Sequence, residues 1–278
     1  MRIGVLCKKA EYAHSTPVME SMFSLLRRRG VDVETIIPEE HLIDVAAVQP
    51  HCDIYILRPG IELALSLAGV LHDKGAHTLN NYPACAIVQD KVRVTHRLIE
   101  AGIPTARSFV TGNLKHAMDL LQKPIIVKPH RGSYGEGIRI LQQGDATDEF
   151  AQGGHFVQEY LPNNGVDIKV YVIGDEVMAI RRPFPAHSFE EKIGTPFKLE
   201  PYIEHLALAV GKIFDLKIYG LDIIESNNRL YVIDVNFFPG FVGVCDAAEK
   251  LSEYVHTYAF AAECRAEPAL ASASKLRR

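Results

Sequence analysis

Three observations predict a chain of mixed α/β and α+β class. Over about the first 85 residues short apolar strands alternate with helical segments, the pattern of a parallel sheet with right-handed crossovers. Later strands follow one another through short polar turns, as hairpins do. No apolar run is longer than a strand, so none approaches a membrane span.

Residues 1–7 open the chain as a strand. Pro17–Arg29 is expected to be a helix: Thr16 is placed to cap it, Pro17 suits the first helical position, and Gly30 follows its end. Val31–Ile37 and Ile54–Leu57 are strands, Ile61–Lys74 is a helix closed by Gly75, and His77–Asn80 is a further strand. These elements make a small α/β domain over 1–85. A second region, 86–160, opens with one helix over Ala86–Ala101 that stops at Gly102. It continues with the strand Arg107–Thr111, the helix Leu114–Leu121, and the strands Pro124–Pro129, Ile138–Leu141 and Phe156–Tyr160. A third region, 161–263, begins with the strands Ile168–Ile173 and Glu176–Arg181, joined at Gly174-Asp175. A mobile loop over Lys192–Glu200, the helix Tyr202–Phe214, a strand hairpin and the helix Ala247–Ala262 complete it. The tail, 264–278, is small and polar and is expected to be flexible and to fray.

The 278 residues carry a formal net charge of −4, with 47% hydrophobic and 23% charged residues. That is an ordinary globular composition without the basic excess of a nucleic-acid or membrane-surface binder. The first strand meets Lys8-Lys9 too soon for a signal peptide. Cys7, Cys52, Cys85, Cys245 and Cys264 are odd in number and scattered, with no C-x-x-C pair. They read as reduced thiols of a cytoplasmic protein, and the 12 histidines form no metal-spaced cluster. The expected partner is a small-molecule substrate, with no nucleic acid and no membrane, bound by a monomer or homodimer.

The strongest chemical signal is Tyr231-Val232-Ile233-Asp234-Val235-Asn236-Phe237-Phe238-Pro239-Gly240. Side chains alternate along a strand, so Asp234 and Asn236 share a face. The preceding strand, Ile218–Ile224, carries Asp222 in an apolar run, and Asn227-Asn228 is good turn chemistry. A hairpin brings Asp222 beside Asp234 and Asn236. Two acids and an amide oxygen there suit a hard cation such as Mg²⁺. The plain alternative is that Asp222 is an edge-strand acid facing water.

Lys128 ends an apolar strand just before a loop holding Gly132, Ser133, Gly135 and Gly137. Glycine lets backbone N–H groups approach phosphate oxygens, and a flanking lysine pairs with them. The loop is neither a P-loop nor a dinucleotide fingerprint, and a plain hairpin turn is the alternative. Lys91 is a second candidate phosphate lysine, or else an exposed helix lysine. Gln158-Glu159-Tyr160-Leu161 ends a strand whose backbone can meet a purine edge. Asp167 and Lys169 share the face of the next strand, and Arg182 ends the one after. Acids and cations at neighbouring strand ends suit a Mg-nucleotide.

In their order and spacing, these motifs resemble an ATP-grasp enzyme over about residues 1–260. The resemblance implies three subdomains, with ATP between two α+β lobes and the glycine loop closing over the phosphates. ATP and Mg²⁺ are the implied cofactors. Lys91 and Lys128 would bind phosphates, Glu159 and Leu161 adenine, and Asp167 would lie near the ribose or the substrate. Asp222, Asp234 and Asn236 would ligate Mg²⁺.

Two branches of the superfamily compete. Asn80-Asn81, Asp90-Lys91, Gly102-Ile103-Pro104 and Gly132-Ser133-Tyr134-Gly135 are similar to the ribosomal-protein glutamate ligases and related carboxylate–amine ligases. Those enzymes make an acyl phosphate that an amine attacks. They usually have Glu where Asp234 stands and an Arg-x-Asn followed by paired glycines after the Arg182 position. This chain has Phe189-Glu190-Glu191-Lys192-Ile193-Gly194-Thr195 there. Ile168–Gly174, Arg182-Pro183 and Asp234–Gly240 resemble the inositol-polyphosphate kinases of the same fold, as does Lys8-Lys9. In that branch Lys169 and Arg182 are catalytic, and Lys8, Lys9, Arg182 and Gly240 face a phosphorylated polyol. These details favour the kinase, with a ligase acting on an amino acid or other carboxylate as the alternative. A third reading, a non-catalytic ATP binder, is opposed by the intact set of Lys128, Asp222, Asp234 and Asn236.

Overall fold

The computed structural model describes residues 1–9, 16–58, 60, 62–132, 137–147, 153–186 and 188–275, with side chains as far as 261. Strands β1 (Arg2–Leu6), β2 (Asp32–Ile36), β3 (Ile54–Leu57) and β4 (Thr78–Leu79) form a parallel sheet in the order β2-β1-β3-β4. Alternation along β1 sends Ile3 and Val5 to one face and Leu6 to the other. Ile3 and Val5 pack with Met19, Met22 and Leu26 of helix α1 (Pro17–Arg28). Leu6, Tyr55 and Leu57 pack with Ala68 and Leu71 of α2 (Glu62–Asp73).

Two short helices follow, α3 (Tyr82–Val88) and α4 (Lys91–Glu100), where the sequence predicts a single one. Their boundary is chemical. The Asp90 side chain accepts from the backbone N–H groups of Val92 and Arg93 at 3.0 and 3.3 Å, capping α4. A small antiparallel sheet has the order β5-β8-β6-β7, from β5 (Ser108–Thr111), β6 (Ile125–Lys128), β7 (Arg139–Leu141) and β8 (His155–Glu159). With α5 (Leu114–Leu121) it has its own core, in which Leu114, Met118, Ile125, Val127 and Val157 are buried.

A five-stranded antiparallel sheet carries the rest. Its strands are β9 (Val166–Ile173), β10 (Glu176–Pro183), β11 (Thr195–Pro196), β12 (Ile218–Ser226) and β13 (Arg229–Phe237), in the order β11-β10-β9-β12-β13. Helix α6 (Phe189–Ile193) and β11 lie where a mobile loop is expected. The Ser188 hydroxyl caps α6 by accepting from Glu191 N–H at 3.1 Å, and β11 adds to the sheet edge opposite Ile180 and Arg181. Helix α7 (Pro201–Phe214) buries Ile203, Leu206, Val210 and Phe214 in the core shared with the first domain.

The C-terminal helix α8 (Ala247–Lys275) lays Leu251, Val255 and Ala259 against Ile3, Met22 and Ile173. It runs past the expected end at 262, as far as Lys275. Thr16 does occupy the cap position of α1, but its hydroxyl donates to Gly240 O at 3.0 Å instead of capping the helix. The thiols and histidines are not all scattered: Glu34, His51 and Cys52 place one ligand-type atom each within 4.8 Å of one another. Strand pairing, not sequence spacing, brings them together. Among the described residues no helix is long and apolar enough to cross a membrane.

Candidate active site

The candidate site is built from one face of the five-stranded sheet. Register places Arg182 opposite Asp167, Lys169 opposite Asp222, and Asp222 opposite Asp234. Asn236 lies two residues beyond Asp234 and so shares its face. A row of charged and amide groups therefore crosses β10, β9, β12 and β13. The expected trio does converge: Asn236 Nδ2 lies 3.3 Å from Asp222 Oδ2 and 3.3 Å from Asp234 Oδ2. A β-bulge at Ile233 of β13, between the partners of Asp222 and Ile223, shifts the register at this point of the row.

The cations of the row are already engaged. Lys169 Nζ lies 2.6 Å from Asp222 Oδ1, with Lys169 itself buried. Arg182 grips Asp167 through two bonds, Nε to Oδ1 and NH2 to Oδ2, both 2.8 Å, and its NH2 reaches Asp222 Oδ1 at 3.2 Å. Burial alone would lower the Arg182 pKa, but its hydrogen bonds to Asp167 and the Asp222 charge raise it above the ordinary arginine value. Asp167 is completely buried and both its oxygens face Arg182. It holds Arg182 in place.

Lys128 ends β6 and is buried. Burial pushes its ammonium below the ordinary lysine range; Asp234 opposes that shift, Lys91 adds to it, and Asp222 opposes it again. Those influences place Lys128 in the electrostatic reach of both acids. Lys91 stands at the first position of α4, and its Nζ donates to Gly132 O at 2.9 Å. The adjacent backbone is tied down as well: Lys91 N–H donates to His130 O at 2.8 Å, and Asp90 bridges Arg131. Val88, Gln89, Lys91, Gly132, Asp234 and Asn236 line one cleft. Ser133 and Gly135 lie outside the described residues.

Gln158 is buried and donates to Ser108 Oγ at 2.9 Å. The Glu159 carboxylate accepts from Arg107 N–H at 3.2 Å, Tyr160 N–H donates to Pro124 O at 2.9 Å, and Leu161 O accepts from Asn163 at 3.4 Å. This strand end is an ordered junction between β8 and β6.

Other expected site residues fall elsewhere. Lys9 pairs with Glu40 at 3.1 Å on the surface, with its side chain 68% exposed. Lys8 lies against Gly60. Gly240 uses its carbonyl to hold Thr16. Asn80 and Asn81 are structural: buried Asn80 accepts from the Lys217 and Ile218 N–H groups at 2.7 and 2.9 Å and donates to Ile218 O at 2.7 Å. Asn81 caps α3 through Ala84 N–H at 2.8 Å. Gln89 in this cleft, Arg58 in the adjoining pocket and Arg131 beside Asp90 were not singled out from the sequence. Of these, only Gln89 carried a signal, a polar residue at the break between two helices.

Residues 88–255 match the RimK-like ATP-grasp domain family. The glutamate–LysW ligase ArgX of Sulfurisphaera tokodaii is 28% identical over 229 residues, covering 73% of this chain and 81% of its own length. A probable alpha-L-glutamate ligase of Shewanella denitrificans is 26% identical over 280 residues, covering 90% of this chain and 94% of its own. A crystal structure of a RimK domain ATP-grasp protein from Sphaerobacter thermophilus superposes with a TM-score of 0.72 over 92% of this chain and 99% of that one. At 16% identity it is a likeness of fold. These comparisons give no support to the preference for an inositol-phosphate kinase: the two relatives in sequence are named as ligases. The mixed α/β architecture and a family match over more than half of its length show that the chain belongs to the RimK-like ATP-grasp family.

Proposed function

We propose that the chain is an ATP-dependent carboxylate–amine ligase of the glutamate-ligase type. The observation that carries this reading is the RimK-like match over 88–255, which takes in Lys91, Lys128, Asp222, Asp234 and Asn236. The named ligases, similar over most of the chain, point the same way.

The donor set fits Mg²⁺. Two carboxylates balance a divalent charge, and half a turn of the Asn236 amide presents its oxygen in place of its nitrogen. When bound, the metal neutralises charge on the nucleotide phosphates. Asp222 would offer Oδ2, because Lys169 and Arg182 hold Oδ1. Lys128 and Lys91 would bind the phosphates from the opposite lobe. Lys169 and Arg182, fixed in place by Asp222 and Asp167, would offset negative charge on the transferred group.

In the proposed reaction a carboxylate oxygen attacks the γ-phosphorus and ADP leaves. An amine nitrogen then attacks the acyl carbon, phosphate leaves with its bonding electrons, and the amine loses a proton. The carboxylate oxygen therefore passes to inorganic phosphate. The test is to label the carboxylate substrate with ¹⁸O and analyse the phosphate by mass. Label in phosphate, one atom per turnover, is expected; unlabelled phosphate alongside amide product would refute the acyl-phosphate route.

A further inference from the structure

We infer that Arg58 is the seat for a non-reacting carboxylate of an amino-acid substrate; this rests on the ligase reading. Arg58 directly follows β3, and its main-chain N–H donates to Leu6 O at 3.0 Å. It thus stands at the carboxyl edge of the parallel sheet, the edge where open α/β sheets take their ligands. Its Nε is buried and has no hydrogen-bond partner among the described residues. An arginine donor withdrawn from water without an acceptor is costly to maintain.

Four cations near the cleft are engaged. Arg182 holds Asp167, Lys169 holds Asp222, Arg131 reaches Glu62 at 3.0 Å, and Lys91 donates to Gly132 O. Arg58 lines a pocket with Leu6, Leu57, Gly60, Gln89 and Phe237. Gln89 and Phe237 also line the cleft that holds Lys91, Asp234 and Asn236, so the two spaces share a wall.

The chemistry selects a carboxylate. The planar guanidinium fork matches two carboxylate oxygens, and the buried Gln89 amide adds one more polar group. Leu6, Leu57 and Phe237 exclude water, which strengthens the ion pair.

The test is calorimetric titration of the full chain, loaded with Mg²⁺ and a non-hydrolysable ATP analogue. The probes are L-glutamate, L-glutamine and L-isoglutamine, which lack neither, one, or the other carboxylate. Wild type is expected to bind glutamate and to reject one of the two monoamides. Arg58→Gln is expected to weaken glutamate binding roughly tenfold to a hundredfold. It should also abolish that discrimination while leaving analogue affinity within about twofold; Arg58→Lys, with the charge but no fork, should fall between. Glutamate binding unchanged in Arg58→Gln, absent in wild type, or lost together with analogue binding would overturn the assignment. Amide formation is scored separately. Glutamate held through Arg58 without any amide product sinks the ligase reading alone. Amide formed with an unchanged glutamate KM in Arg58→Gln sinks the Arg58 seat alone.

Discussion

Asp167→Ala removes the counter-charge beneath the candidate site, and its cost follows from the geometry. Asp167 is fully buried and takes two 2.8 Å bonds from Arg182, whose own side chain is 17% exposed. Deleting one partner of such a pair strands the other charge in a poorly hydrated place, a loss of roughly 3–5 kcal/mol. Asp222 softens the loss only in part, because its Oδ1 already serves Lys169 at 2.6 Å. For a chain of this size each kcal/mol moves the melting temperature by about 2–4 °C, so a fall of roughly 6–20 °C is expected. The assay is thermal and urea unfolding of wild type, Asp167→Ala and Asp167→Asn. Asp167→Asn keeps the shape and loses the charge, and should rank between. A second consequence is functional: Arg182, released from Asp167, turns to Asp222 and competes for the proposed metal oxygens, so the Mg²⁺ needed for half-maximal turnover rises. A loss under about 1 kcal/mol in Asp167→Ala would refute the view that this pair anchors the site.

Further expectations follow from the same geometry. Asp234→Ala should abolish ATP-dependent turnover with every acceptor, since a proposed metal ligand is lost; near-normal turnover would remove Asp234 from the metal set. Lys128→Met should weaken Mg-ATP binding by roughly tenfold to a hundredfold, measured by fluorescence or calorimetric titration. The buried Lys128 titrates below the ordinary lysine range, and phosphate binding favours its charged form. Nucleotide affinity should therefore hold at low pH and fall as pH rises through that lowered pKa, a limb that Lys128→Met lacks. Lys9→Ala should leave turnover and acceptor KM unchanged, because Lys9 pairs with Glu40 at the surface. Gly211→Ala places a Cβ 2.2 Å from the buried Tyr219 hydroxyl, which donates to Ala207 O, and should cost about 1–3 kcal/mol by urea unfolding.

The strands were legible because apolar, β-branched runs of four to nine residues sit between turn residues, as in Ile54–Leu57 and Ile218–Ser226. That Asp234 and Asn236 share a face was legible from strand alternation, but a regular hairpin with Ser226 opposite Arg229 would set Asp222 opposite Ile233; the bulge at Ile233 is what brings Asp222 to Asp234. The partnership of Arg182 with Asp167 was within reach of the sequence but was not drawn from it. It depends on the register between β9 and β10, which the turn at Gly174-Asp175 sets several residues away. The break between α3 and α4 was written in Asp90, a good capping residue set inside an otherwise helical stretch. The Lys9–Glu40 pair gave no sign, since an exposed lysine looks the same in sequence whatever acid it meets. Arg58 gave no sign, since only the fold shows that its Nε is buried and unpaired. The preference for kinase over ligase rested on short stretches such as Ile168–Gly174 and Asp234–Gly240 and on the missing Arg-x-Asn loop, and a comparison over most of the chain weighs against it.

The most direct test of the central claim incubates the full chain with Mg-ATP and two acceptor panels, following ADP and the mass of every product. One panel pairs L-glutamate with candidate carboxylates and amines; the other holds inositol phosphates without any amine. The account predicts ADP, free phosphate and an amide from the first panel and no change in the second. A product heavier by one phosphoryl group from the second panel, with no amide from the first, would contradict it.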